Sequence, residues 1–231
     1  MSRETQNVVL LLLGLGAGVI VAKGTYLHFV KPGLGPWLMA AAVGLIVLAV
    51  LAIVRDVRNG AASADGHQHR TWTGWLLLLP VALMVFVAVP PLGAGGATPE
   101  LAGNAAPHLR PFPPLPPGPA PTVALPEVLM RAATDSTSSL DGRTITVTGF
   151  TLTSAAAAPD LGRVVIVCCA ADAQLARIHL TGAIGTYPAD TWLQVEGRVL
   201  PGTSSPATGF IPTMDVMAVT RIDKPANTYA Y

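Results

Sequence analysis

The sequence predicts a membrane α-helical anchor of three transmembrane helices followed by a small all-β, OB-like barrel domain. Three observations carry that fold class. Uncharged apolar runs crowd residues 1–92, Pro, Gly and Ala dominate residues 93–121, and short β-branched segments between turn residues fill residues 122–231. The chain has 231 residues, 51% hydrophobic and 12% charged, a balance too apolar for one water-soluble domain and too polar for a wholly embedded transporter.

The first apolar run, residues 8–22 with a possible extension to residue 30, carries no charge before Lys23, which can snorkel to the interface. It approaches the roughly 20 residues that a bilayer core requires. A cleaved signal peptide is the alternative, suggested by Arg3 and the small residues before Lys23, although the run is long for such a segment. Gly14, Gly16 and Gly18 give this helix a small-residue face, with Gly14 and Gly18 as the helix-packing candidates. The second run, residues 37–54, follows the turn residues Pro32, Gly33 and Pro36 and ends at Arg55. The third, residues 75–91, contains Pro80, closes at Pro90 and Pro91, and has Trp72 and Trp75 as interface anchors. An interfacial or re-entrant segment is the alternative for this third run, because its charge-free core is short.

Arg3, Arg55, Arg58 and Arg70 flank one side of the expected membrane, against Lys23 and Lys31 on the other, which orients the N-terminus inwards. Three crossings then place the C-terminal domain outside the cytoplasm of a multi-pass protein of the inner or plasma membrane. Adjacent thiols there meet an oxidising environment.

Residues 93–121 hold too few large apolar side chains for a core and are expected to form an extended tether, with Pro-rich recognition as the other reading. Beyond it, residues 125–133 have helical spacing of apolar side chains and precede a Ser/Thr-rich turn. Strands are expected at 143–153, 163–169, 177–180, 191–200 and 210–222. Gly149 and Gly197 fall inside strands where a small barrel bends. Nucleic-acid binding is not expected: the net charge is +1, and only Phe150, Trp192 and Phe210 are aromatic in the strands.

The two cysteines of the chain are neighbours, Cys168 and Cys169, followed by Asp172. On a continuous strand their side chains start on opposite faces, so one buried and one exposed thiol is the plain structural reading. A strained ring disulfide is a second reading. A contact to zinc or another transition metal is a third, with Cys168, Cys169 and Asp172 as soft and borderline ligands and His179 on the next strand as a further one. His67 and His69 form a secondary candidate in the second loop, expected on the cytoplasmic side. Tyr26 and His28 follow the first helix, where an interfacial hydrogen bond is the simpler reading. No catalytic spacing of Ser/His/Asp, phosphate-loop glycines or paired acids is present, so no enzyme is expected.

The membrane runs, the loop DGHQHR, the Pro-rich tether and the segments LDGRTITVTGF, VIVCCAADA and WLQVEGRV together resemble the YcgQ-like permease-subunit family of bacteria. The resemblance spans nearly the whole chain, and Cys168-Cys169-Ala-Ala-Asp172 is its most specific part. It implies an accessory integral-membrane subunit working beside a larger multi-helix permease in membrane lipid, with the outer domain handling a metal or another solute. The His67/His69 tract is shorter than in relatives, which shifts interest to the outer domain. A membrane-tethered metal carrier, and a structural anchor module without a transport role, are the alternatives.

Overall fold

A computed structural model describes residues 3–58, 90–94, 108–152, 159–182 and 184–230, together with Leu79, Ala82 and Phe86. The chain divides into two compact units, Met1–Pro90 and Pro91–Tyr231.

The first unit contains a helical hairpin of α1 (Arg3–Ala22) and α2 (Gly35–Arg58). Among the described residues these are the two helices long and apolar enough to cross a bilayer, where three are expected. The expected third helix at 75–91 lies outside the described residues, apart from Leu79, Ala82 and Phe86, which are helical, and Pro90 and Pro91, which follow it. Helix α1 does not run on to residue 30. Gly24 adopts φ 72, and a single 3-10 turn, Thr25–His28, follows. A positive φ that Gly reaches without strain ends the helix. Pro36 sits in the first turn of α2, where its missing N–H costs nothing, and Arg55 and Arg58 occupy the last turn, where they oppose the negative end of the helix dipole.

The hairpin closes on small side chains. Val9, Ala42 and Ala49 are buried, and a Cβ on Gly14 would lie 2.8 Å from Ile46 Cγ1 and 3.0 Å from the Ala42 carbonyl oxygen. Gly14 is therefore the point of close approach between the two helices, whereas the space beside Gly18 is open. Near the chain start the buried Asn7 donates from Nδ2 to Asp56 Oδ2 at 2.8 Å, and at the other end the Tyr26 ring packs on Gly35. The outward surface carries Leu12, Leu15 and Val19 on α1 and Val43, Leu48, Leu51 and Val54 on α2. A soluble hairpin would turn such side chains inwards; a hydrocarbon phase solvates them where they are.

The second unit is built on a closed barrel of five strands in the order β1-β2-β3-β5-β4. The strands are β1 (Thr144–Leu152), β2 (Asp160–Val165), β3 (Gln174–Thr181), β4 (Trp192–Val199) and β5 (Thr213–Arg221). Every pairing is antiparallel except β3 with β5, which run parallel from His179↔Thr213 to Thr181↔Asp215. The alternation of each strand turns Ile145, Val147, Leu161, Ile178, Leu193, Val195 and Met214 into the barrel. Helix α3 (Leu125–Thr134) adds Leu125, Val128 and Leu129 to the same core, an i, i+3, i+4 stripe that fits one buried face.

Two glycines let strands approach more closely than a side chain allows. A Cβ on Gly149 would lie 2.5 Å from the Gly162 carbonyl oxygen, and one on Gly197 would collide with the Asp215 carbonyl oxygen beside the register shift at Glu196/Gly197.

Strands β1 and β2 pair only from Phe150↔Gly162 to Leu152↔Asp160 and then diverge. Flanking chain segments fill the split. Thr146 N–H donates to the Pro121 carbonyl, Val123 N–H donates to the Thr146 carbonyl, and Ala230 N–H donates to the Val164 carbonyl at 2.8 Å. Tyr229 is buried with Phe150, Leu152, Val164, Ile166, Leu175 and Trp192 in a second cluster, and its hydroxyl accepts the Leu92 N–H at 3.0 Å.

The expected tether differs in its second half. Residues 108–121 lie on the barrel unit: Leu115 is buried in the main core, the Arg110 backbone forms a parallel bridge with that of Asp135, and the Phe112 ring lies under the guanidinium groups of Arg110 and Arg131 at 4.7 and 5.0 Å.

Candidate thiol–carboxylate site

Strand β2 stops at Val165, four residues before the expected end at 169. The cause is Asp172. Its Oδ1 accepts the Val167 N–H at 2.7 Å, and its Oδ2 accepts the N–H groups of Cys168 and Cys169 at 2.8 and 3.2 Å. Three successive donors that could have continued a ladder turn instead onto one carboxylate, and a 3-10 turn, Ala170–Asp172, reverses the chain into β3.

That turn decides where the thiols point. The opposite-face arrangement of a continuous strand does not occur; both sulfurs lie on one side, with Cys168 Sγ 3.7 Å from Cys169 Sγ and 2.9 Å from Asp172 Oδ2. Cys168 is exposed, and Cys169 and Asp172 are half-buried. The thiol of Cys168 donates to Asp172, and this bond, with the Cys169 sulfur next to it, pushes its pKa up to about 11. The same thiol and the backbone N–H groups of Cys168 and Val167 hold the Asp172 carboxyl down at about 2. A thiol so held is a poor free nucleophile at neutral pH.

The donor set suits a thiophilic or borderline metal. The two sulfurs and a carboxylate oxygen lie within 4.8 Å of one another. Two thiolates bound to one tetrahedral zinc at about 2.3 Å each are separated by about 3.8 Å, and the thiols already stand at 3.7 Å. The sulfur–oxygen pair is closer than ligands to one ion, because a shared proton holds it; a metal that replaced this proton would spread the pair. Three protein ligands leave a fourth position to solvent or a partner.

His179 is not part of this set. Its Nδ1 meets Asp160 Oδ1 at 2.7 Å, and Arg177 Nε lies 3.2 Å from the other oxygen of the buried Asp160. The register puts Asp160 opposite His179 at one end of the β2–β3 pair and Val165 opposite Gln174 at the end next to the cysteines. Five residues of strand at about 3.3 Å each separate the two ends by roughly 16 Å. The sequence signal for this pairing is the start of β2 at Asp160, which a strand begun at residue 163 omits. His67 and His69 lie outside the described residues.

No curated protein and no solved structure matches the chain. Residues 128–231, which run from α3 through the barrel and contain the Cys168–Asp172 turn, match the family described as the DUF1980 C-terminal domain, and this match supports the YcgQ-like resemblance over the C-terminal part of the chain.

Proposed function

We propose that the protein is an accessory integral-membrane subunit of a permease complex. Its barrel, of OB-like type and on the extracytoplasmic side, presents Cys168, Cys169 and Asp172 to a divalent thiophilic metal such as zinc. The observation that carries this reading is the 3.7 Å separation of two sulfurs beside a carboxylate on an exposed turn. The OB-like assignment is supported by the strand order and by the parallel β3–β5 closure. Helices α1 and α2, with the expected third helix at 75–91, are too few to enclose a pathway, so transport requires a larger multi-helix partner. The open fourth position on the metal favours handing an ion on over holding it as a structural element.

The test is metal binding by the intact protein in mild detergent. Titration of the reduced protein with Cd(II), followed by thiolate-to-cadmium charge-transfer absorption, is expected to saturate at one ion per chain and to be competed by Zn(II). Cys169→Ser and Asp172→Asn should each weaken binding. Absence of any saturable thiolate band would overturn the reading.

A further inference from the structure

We infer that Cys168 and Cys169 form a reversible redox lock: a low-molecular-weight disulfide oxidises the pair to a ring between neighbouring residues and so withdraws both sulfurs from a metal. The consequence for metal rests on the function proposed above; the ring closure itself rests only on geometry.

Three features point to it. The sulfurs are 3.7 Å apart, and closing them to a bond of about 2.05 Å requires a shift that side-chain rotation and a small turn adjustment supply. The chain has two cysteines, so neither thiol has another partner within it. Both lie in a turn beyond the last β2 residue, Val165, where a single bridge at Cys169 is all that continues the strand pairing, and Cys168 is open to a small oxidant. Asp172 keeps its three backbone donors after Cys168 loses its proton, so the turn survives closure.

The chemistry balances without a metal or cofactor. One thiol, as thiolate, attacks the external disulfide RSSR, forming a mixed disulfide and releasing RSH after proton transfer. The neighbouring sulfur attacks the protein-side sulfur of that mixed disulfide and releases a second RSH. The protein loses two hydrogens and two electrons, and RSSR becomes two RSH. Adjacent α-carbons are about 3.8 Å apart, below the usual 4.4–6.8 Å span of a disulfide. The ring is therefore strained, and strained exposed disulfides are the ones that thiols reopen.

The experiment uses the full-length protein in detergent, equilibrated with glutathione and glutathione disulfide, then alkylated and weighed intact. Oxidation is expected to remove both alkylatable thiols, lower the mass by two hydrogens, leave no glutathione adduct, and reverse with excess reduced glutathione. Cys169→Ser should instead retain a glutathione adduct on Cys168. Because thiolates are the metal ligands, Cd(II) affinity should fall by more than about tenfold in the oxidised form. A persistent adduct on the unmodified chain, disulfide-linked dimers in place of the ring, or an oxidised form that binds Cd(II) as tightly as the reduced one would each overturn the lock. Ring closure in a protein whose reduced form binds no Cd(II) would instead overturn the proposed function and leave the closure standing.

Discussion

Asp172 Oδ2 accepts the thiol proton of Cys168 at 2.9 Å while the same carboxylate gathers the backbone N–H groups of residues 167–169. One side chain thus shapes the β2–β3 turn and sets the protonation of the more exposed cysteine.

Replacing that carboxylate should release Cys168. In Asp172→Asn the thiol pKa is expected to drop from about 11 towards its ordinary 9.0. Near pH 8 this raises the thiolate fraction about a hundredfold, and the weaker nucleophilicity of the more acidic thiol offsets about tenfold, leaving a gain of about tenfold in alkylation rate. Timed iodoacetamide labelling of the reduced protein reads the ratio; an unchanged rate would show that Asp172 does not hold the proton.

Metal affinity should separate the cysteines from the histidine. Cys169→Ser is expected to lose about a hundredfold or more in Cd(II) affinity, since a ligand is removed. His179→Gln should stay within about twofold, because its ring is committed to Asp160 at the far end of the strand pair. Competition titrations on both variants check this, and an equal loss would return His179 to the site.

The hairpin should distinguish two glycines that look alike in sequence. Gly14→Leu drives a side chain into Ile46 and Ala42 and is expected to cost about 1–3 kcal/mol. Gly18→Leu meets open space and should leave thermal unfolding in detergent unchanged.

Tyr229 should anchor the barrel through its ring more than through its hydroxyl. Tyr229→Ala empties a buried place in the second cluster, at a cost of about 3–5 kcal/mol. Tyr229→Phe loses the acceptor for Leu92 N–H, about 1 kcal/mol. Thermal melts of the two variants give the order, and a Phe variant as damaged as the Ala variant would refute it.

Acid should loosen both carboxylate-organised turns. Asp135 accepts from the backbone N–H and hydroxyl groups of Thr137 and Ser139, and despite its desolvation these bonds hold its carboxyl far below the usual range. Asp172 is likewise lowered, to about 2. Both pKa values are depressed in the fold, so the stabilisation is present above the ordinary carboxylate value of about 3.9 and is lost as pH falls below it. Asp135→Asn should flatten that acid limb in a melting series from neutral pH downwards; an unaltered limb would show that Asp135 contributes nothing to it.

Elements whose cause is local were legible in the order of the amino acids. Uncharged apolar runs predict α1 and α2, helical spacing of apolar residues predicts α3, and β-branched segments with internal Gly149 and Gly197 predict five strands of a small barrel. Each follows from periodicity and from which side chains tolerate lipid or a sheet. Which residues meet is a property of the assembled fold. It separates Gly14 from Gly18, lays residues 108–121 on the barrel through Leu115 and Phe112, and gives His179 to Asp160 rather than to the cysteines. It also turns Cys168 and Cys169 onto one side, because a carboxylate three residues beyond the pair captures the backbone donors that would have kept them on a strand. Sequence pattern reports the environment each residue prefers; hydrogen-bond competition and strand register, which depend on the whole barrel, choose its partners.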